Sequence, residues 1–532
     1  MKNHLLVSFL LSALGASAWN VGTEPTPASA LIEEFTGIQC PNCPDGHAIA
    51  NMLTALHPED VYTVAVHAGY FANPGPAQPN FITETGTAIH DYFGVYSYPC
   101  GDVNRHDYGS GTILGRANWG AACREALKNV SPVNLWSASS YDPTSKKLTV
   151  DVEAYLTDNM DDPRLTVWLL QSEILGPQSG GGLGEEYPHR HMLRAKLTDD
   201  DFGDALGKNA KGEYFSRSIE YDLPEEINGV AVNPADIHLL CFVSESDGTI
   251  WKVNETRPET SGLEQTFSVS FSAPPVPIDR NYAFDYVEVF LHNHGGVELL
   301  NADFNITRTG SVVSRRWEGC LAPHSSAIVR VPLEGAWADA VDSERNRYAI
   351  RMMKANGIEV ETTSITGLFY EIFEYPAELT VKIKTDVDAA DNTWRILDAE
   401  GEVVKEFGPY PDGVIEEYTE TVELEPGAIY ALEVTDCWGD GVRHPLGSIR
   451  LYDKSDNLVA QVKEINDYGF RSFFRATETA GTEMTEARPE VTSTCFYDLS
   501  GRVVTSPADG FYIERISYSD GSVKTLTRFI SK

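Results

Sequence analysis

Two cysteines separated by two residues, Cys40-Pro41-Asn42-Cys43, constrain this chain more than any other stretch. A short apolar run at 30–32 precedes them. Ile49, Leu53 and Leu56 follow at i, i+4 and i+7, the spacing of one helical face. The pair therefore sits where a strand hands over to a helix. Unpaired backbone N–H groups and the positive end of the helix dipole gather at such a point. Both lower a thiol pKa and favour the thiolate, the form that attacks disulfides. On this reading Cys40 is the N-cap residue and the attacking thiol, and Cys43, one turn in, resolves. Pro41 and Pro44 carry no N–H, so the local donors to Cys40 reduce to Asn42 and Cys43.

A C-x-x-C ahead of a helix in a βαβ-like pattern is the thioredoxin signature. A strand-like run at 61–66, a helix-like run at 81–93 and then Tyr98-Pro99-Cys100 follow. Thioredoxin-like proteins hold a cis-proline at that point, so the resemblance implies a cis bond before Pro99, bordering a substrate groove. Cys100 is a third thiol within reach of the pair. A static disulfide on a thioredoxin-like scaffold, without turnover, is the simpler alternative, and the residues leave both open. A last helical run at 119–128, with Ala122, Cys123, Ala126 and Leu127 on one side, completes an α/β unit over 30–130.

Beyond residue 131 the period changes to two. Residues 148–154 alternate apolar and polar, 165–170 largely do so, and 239–243 form an apolar strand returning to the same sheet. A glycine-rich loop spans 176–184. Beyond it, His189 and His191 would share one strand face, a spacing that can hold zinc or copper, although a strand packed on the loop is simpler. A second β segment covers 263–375, with His292 and His294 again two apart, and a third covers 376–476; both read as sandwiches. In the third, Asp386 and Asp388 in one loop and Asp436 and Asp440 in another offer hard oxygen ligands. If the loops converge, calcium is the cofactor they suit.

Phe35-Thr36-Gly37 leading into the C-x-x-C, Tyr98-Pro99 with Asn104-Arg105, His189-Arg190-His191 with Arg194, and Lys252-Val253-Asn254 together resemble the Omp28-related outer-membrane family. That resemblance covers about half the chain. It implies a surface location in Gram-negative anaerobes and a thioredoxin-like domain joined to an immunoglobulin-like one, and it settles no activity. The C-terminal stretch, with 496–504, 510–513 and 521–525, resembles a type IX secretion sorting domain, which implies the secretion and sorting machinery as a partner.

The totals agree with export. Residues 1–18 read as a signal peptide: a basic start, an apolar run and Ala16-Ser17-Ala18 at the cleavage site. No later apolar run is long enough for a transmembrane helix. A net charge of −37, from 78 acids against 41 bases, argues against nucleic acid and anionic membrane surfaces as partners. Neither G-x-S-x-G nor H-E-x-x-H occurs, which disfavours a hydrolase. The eight cysteines are too dispersed beyond the first pair to read as a disulfide framework; Cys241 and Cys320, near apolar strands, read as buried free thiols.

The expected architecture is multidomain α/β plus all-β. After the signal peptide and a linker (19–29) come a thioredoxin-like domain (30–130) and three β-sandwich modules (131–262, 263–375, 376–476). A linker (477–489) and a sorting-type tail (490–532) complete the chain. The expected function is surface binding, adhesion or scaffolding, with client or host proteins as partners. The alternative is a thiol–disulfide oxidoreductase that uses Cys40, Cys43 and Pro99.

Overall fold

The computed structural model describes residues 19–478 except 110, 261, 277–285, 309–310, 334–346, 363, 369–372, 443–446, 463–464 and 466. It also describes the backbone of strands Val491–Tyr497, Val503–Val504, Gly510–Tyr518 and Val523–Ile530. The expected signal peptide and nearly all of the expected linker at 477–489 lie outside the described residues, as do the side chains of the tail. The chain is mostly β and multidomain, and its three α-helices all fall between residues 43 and 127 among the described residues.

The first unit runs β1 (Ala30–Thr36), α1 (Cys43–Leu56), β2 (Val61–His67), α2 (Glu84–Phe93), β3 (Cys100–Val103), β4 (Leu114–Gly115) and α3 (Trp119–Leu127). β1 pairs parallel with β2 and antiparallel with β3, and β3 pairs with β4, giving the order β2-β1-β3-β4. Local chemistry sets the limits of α2. The Thr83 side chain accepts the Gly86 N–H as N-cap, and Gly94, at φ 61°, ends the helix in the left-handed conformation that glycine tolerates best.

The next unit contributes β5 (Val133–Asp142), β6 (Lys147–Leu156), β7 (Arg164–Gln171), β8 (Ile174–Gly176), β9 (Tyr187–His189), β10 (Met192–Lys196), β11 (Asp204–Ala205), β12 (Tyr214–Asp222), β13 (Glu226–Ile227), β14 (Val230–Ala231), β15 (Ile237–Ser244) and β16 (Ile250–Thr256). Its sheet does not stop at the boundary expected near residue 130. β10 pairs parallel with β2, so a single nine-stranded sheet runs β16-β15-β7-β10-β2-β1-β3-β4, with β11 on β7.

This continuity explains why β7 and β15 are apolar on both faces. Leu165, Val167, Leu169, Leu239, Cys241 and Val243 point to a core closed by the separate sheet β12-β6-β5. Trp168, Leu170, Leu240 and Phe242 point the other way, into a core shared with Leu31, Phe35, Val64, Val66 and Ile89 of the first unit. Strands buried on both faces cannot alternate. β6, covered on one face only, alternates in burial as its sequence does.

A buried ion pair lies at the seam. Arg105 donates from Nε and Nη2 to the two carboxylate oxygens of Glu33 at 2.7 and 2.8 Å, with both side chains essentially inaccessible. The guanidinium carbon lies 5.4–5.7 Å from the ring centroids of Trp168, Phe202 and Phe242, all from the second unit. Burial and the neighbouring Glu33 carboxylate push Asp102 well above the usual carboxylate range, and Asp102 accepts the Arg105 backbone N–H.

Two further sandwiches follow. One packs the sheet Val269–Ser272, Tyr286–Asn293, Ser325–Pro332 on a five-stranded sheet whose edge strand is Ser311–Leu321. Cys320, expected to be buried, lies exposed on that edge strand. The last packs a five-stranded on a four-stranded sheet, and its strand Phe373–Pro376 pairs with Gly469–Thr477, so it starts slightly before residue 376. The tail forms its own four-stranded sheet. No described helix is long and apolar enough to cross a membrane.

Removing one partner of a buried, bidentate pair leaves an uncompensated charge. Arg105→Ala is therefore expected to lower stability by about 3–5 kcal/mol, read as a shift in the urea midpoint. Glu33→Gln combined with Arg105→Met should cost clearly less than Arg105→Ala alone.

Candidate functional site

The strand-to-helix junction carries the expected cysteines, joined as a Cys40–Cys43 disulfide with a Cα–Cα distance of 5.4 Å. The N-cap of α1 is Asn42, two residues later than expected, and Cys43 opens the helix. Pro44 allows this start, because a first-turn residue needs no N–H partner. Cys40 sits in the preceding turn. Its N–H donates to the Gly37 carbonyl at 2.9 Å, and its own carbonyl accepts the Cys43 N–H at 3.4 Å.

Neither cysteine is open to solvent: Cys40 is 1% exposed and Cys43 0%. The cover is the glycine-rich loop of the second unit. Gln178 donates from Nε2 to the carbonyls of Cys40 (2.9 Å) and Gly37 (3.2 Å), and the Ser179 N–H donates to Ile38 at 2.8 Å. Gly180, at φ 78°, lies so close that a Cβ there would meet the Pro41 carbonyl oxygen at 2.1 Å. Only glycine fits that approach.

The Tyr98–Pro99 bond is cis, as the resemblance implied. Pro99 packs on Gly46 of α1, where a Cβ would lie 2.9 Å from the proline ring and 2.6 Å from Glu34 Oε1. Cys100 is buried and unbridged, and burial raises its thiol to about 11. Sequence reasoning missed Glu34. It is buried, its Oε1 has no hydrogen-bond partner, and burial holds its pKa well above the usual carboxylate range against the opposing pull of Arg116. His47 Nε2 lies 3.8 Å from that oxygen and 2.9 Å from the Thr36 hydroxyl, while its Nδ1 meets the Tyr187 hydroxyl at 2.7 Å. Burial, with His189 and Arg190 nearby, lowers His47 to about 3. The one available signal was a pair of glutamates inside an otherwise apolar strand.

The two aspartate loops of the third sandwich do converge, and a cation from the first unit meets them. Arg124 of α3 reaches Asp391 (2.7 Å) and Asp440 (3.0 Å) from Nη1 and Asp388 (3.2 Å) from Nη2. Asp436 accepts the N–H groups of Trp438 and Gly439 at 2.8 and 2.6 Å, and Asp386 accepts from Asn392 Nδ2 at 3.4 Å. Burial first, and Asp440 second, raise Asp436 to about 7. Trp438 stacks on His57 with centroids 4.0 Å apart, and its carbonyl presses on Gly120 of α3. The Asp- and Gly-rich stretch thus docks the last sandwich on the first unit.

His189 and His191 do not share a face. β9 ends at His189, and His191 sits in the turn before β10 at φ 52°. His189 Nε2 meets the Pro177 carbonyl of the covering loop at 3.3 Å, whereas His191 turns toward His238, with ring centroids 5.3 Å apart. His292 and His294 do stack side by side, 5.7 Å apart.

Residues 86–261 match the family model described as outer membrane protein Omp28, so the resemblance expected from the motifs is present over that segment. It supports the expected outer-membrane or cell-surface location. Among solved structures, HBP35 of Porphyromonas gingivalis is 18% identical, with 64% of this chain and 98% of that one covered and a TM-score of 0.37. Protein AGR_C_4864 from Agrobacterium tumefaciens is 12% identical over 45% and 98%, with a TM-score of 0.29. A domain of the outer membrane lipoprotein Omp28 from Porphyromonas gingivalis is 12% identical over 25% and 93%, with a TM-score of 0.17. No curated protein matches the chain.

Two outcomes follow from the acidic junction. Asp436 keeps its proton in the fold up to about pH 7, whereas the unfolded chain loses it near 3.8. The unfolded state then binds fewer protons, so this contribution is complete below pH 3.8 and declines as pH rises toward 7. Asp436→Asn keeps an acceptor oxygen and should flatten that decline in urea titrations. Arg124→Ala should lower the melting temperature, and millimolar calcium should restore part of the loss while leaving the wild type unchanged. A calcium-dependent rise in the wild type would mean that the ion displaces the guanidinium.

Proposed function

We propose that this protein is an exported outer-membrane or cell-surface scaffold whose head is a thioredoxin-like fold kept for structure. The head displays no accessible redox centre and joins β-sandwich modules that serve binding or adhesion. The sheet order β2-β1-β3-β4, the C-x-x-C at the start of α1 and the cis-Pro99 at the start of β3 support the thioredoxin-like reading. The observation that carries the structural role is the cover on the disulfide. Attack needs access to sulfur as well as a thiolate, and the 176–184 loop, hydrogen-bonded to the turn around Cys40, removes the access. Within the same reading, the tail acts as a type IX sorting domain, and deletion of residues 499–532 leaves the protein in the periplasm.

One observation favours the alternative, a thiol–disulfide oxidoreductase. Glu34 is a buried carboxyl group with a raised pKa close to Pro99 and α1, a placement suited to handling a proton during exchange. In that case Cys40 attacks, Cys43 resolves and Pro99 borders the client once the loop opens. The two readings separate in one experiment. The Cys43→Ser, Cys100→Ser double variant is expected to trap no mixed disulfides in its own cells, and the wild type to leave reduction of a model disulfide protein at the background rate. Trapped clients that vanish when Cys40 is also replaced would establish the oxidoreductase.

A further inference from the structure

We propose that His191, His238 and Glu255 form a binding site for a zinc-class divalent cation, with its fourth position open to an interdomain cavity. Ligand atoms of the three residues lie within 4.8 Å of one another. In a tetrahedral zinc site, bonds of about 2.0–2.2 Å set ligand atoms roughly 3.3 Å apart. His238 Nδ1 and Glu255 Oε2 already stand at 3.1 Å, so only the His191 ring has to rotate inward.

An unpartnered buried nitrogen lies beside this pair. His191 Nδ1 is buried and has no hydrogen-bond partner, while fully buried His238 holds its Nδ1 against Glu255 Oε2. Leaving the His191 nitrogen bare in the interior is costly, and a cation shared with His238 and Glu255 satisfies it.

The surrounding groups orient the set for coordination. Ser172 Oγ lies 3.2 Å from His238 Nε2 and accepts the His191 backbone N–H at 3.1 Å. When a cation binds, Nε2–H can donate to that hydroxyl and leave the Nδ1 lone pair for the metal, the arrangement found behind metal-bound histidines. Arg257 Nη2 holds Glu255 Oε1 at 3.2 Å and leaves Oε2 to face the imidazoles. His191 holds φ at 52°, an unfavourable backbone for a non-glycine residue, and this turns its ring from the His189 side toward His238. The site opens on a cavity of about 860 Å³ between the nine-stranded sheet and the second sandwich, lined also by His292, His294 and His324. Three protein ligands with an open position make a site that can take water or an incoming donor.

Cobalt(II), which reports tetrahedral coordination in its visible bands, is the probe. The full chain, stripped with chelator, is titrated with cobalt and then zinc. The expected result is one equivalent of cobalt with intense visible bands, displaced by one equivalent of zinc. His191→Gln and Glu255→Gln should each weaken binding at least 10-fold, and His57→Gln should change nothing. Should His238→Gln fail to fold, His191→Gln, whose ring is less deeply enclosed, carries the test, with circular dichroism as its fold control. A plain His238–Glu255 ion pair predicts no cobalt bands at stoichiometric metal, and that result overturns the proposal. Bands that survive both His191→Gln and Glu255→Gln overturn it equally.

Discussion

The pairing of β10 with β2 is the contact on which the arrangement of this protein depends. It is short, a register of Met192 with Ala65 and the Ala65 N–H donating to the His191 carbonyl at 2.8 Å, yet it merges two sheets into one. Once merged, the two units share a core in which Trp168 and Phe242 lie with Phe35 and Val66. They also share a buried charge pair, since Glu33–Arg105 is enclosed by aromatic rings of the other unit. Units joined by a continuous sheet and a common core move as one body far more readily than units joined by a linker. The same junction brings the 176–184 loop over the disulfide and aims His191 at His238.

Much of this was legible in the chain. The i, i+4, i+7 spacing of Ile49, Leu53 and Leu56 marked α1, and the alternation of 148–154 marked β6 with its one buried face. The C-x-x-C and Tyr98-Pro99 foretold the disulfide and the cis bond. What was hidden depends on partners distant in sequence. Nothing local indicates that Met192 will lie beside Ala65, so the boundary near residue 130 read as a break between domains. Glu33 and Glu34 look like surface residues until both faces of β1 are covered. His191 takes a positive φ without being glycine, which no composition rule flags, so two histidines expected on one face point to different sites. Cys320 sits in an apolar context but on an edge strand, and edge position follows from topology rather than from neighbours.

The acidic loops of the last sandwich meet a cation supplied by the chain itself. Converging carboxylates suit calcium, and they suit a guanidinium equally well, since Arg124 presents several donors in a fixed fork. With Trp438 on His57 beside it, this cluster ties the far end of the chain back to α1 and α3. The first unit is thereby gripped on two sides, by the loop over the cysteines and by the sandwich on its helices.

The fold seals the Cys40–Cys43 disulfide. The most direct measurement is its rate of reduction by a small dithiol in the native full chain, followed by alkylation and mass spectrometry, beside the same rate in denaturant and in a Gln178→Ala variant. Native reduction is expected to be slow, to rise by orders of magnitude on unfolding and to rise measurably when Gln178 no longer holds the loop. Native reduction as fast as in denaturant, and indifferent to Gln178, would contradict it.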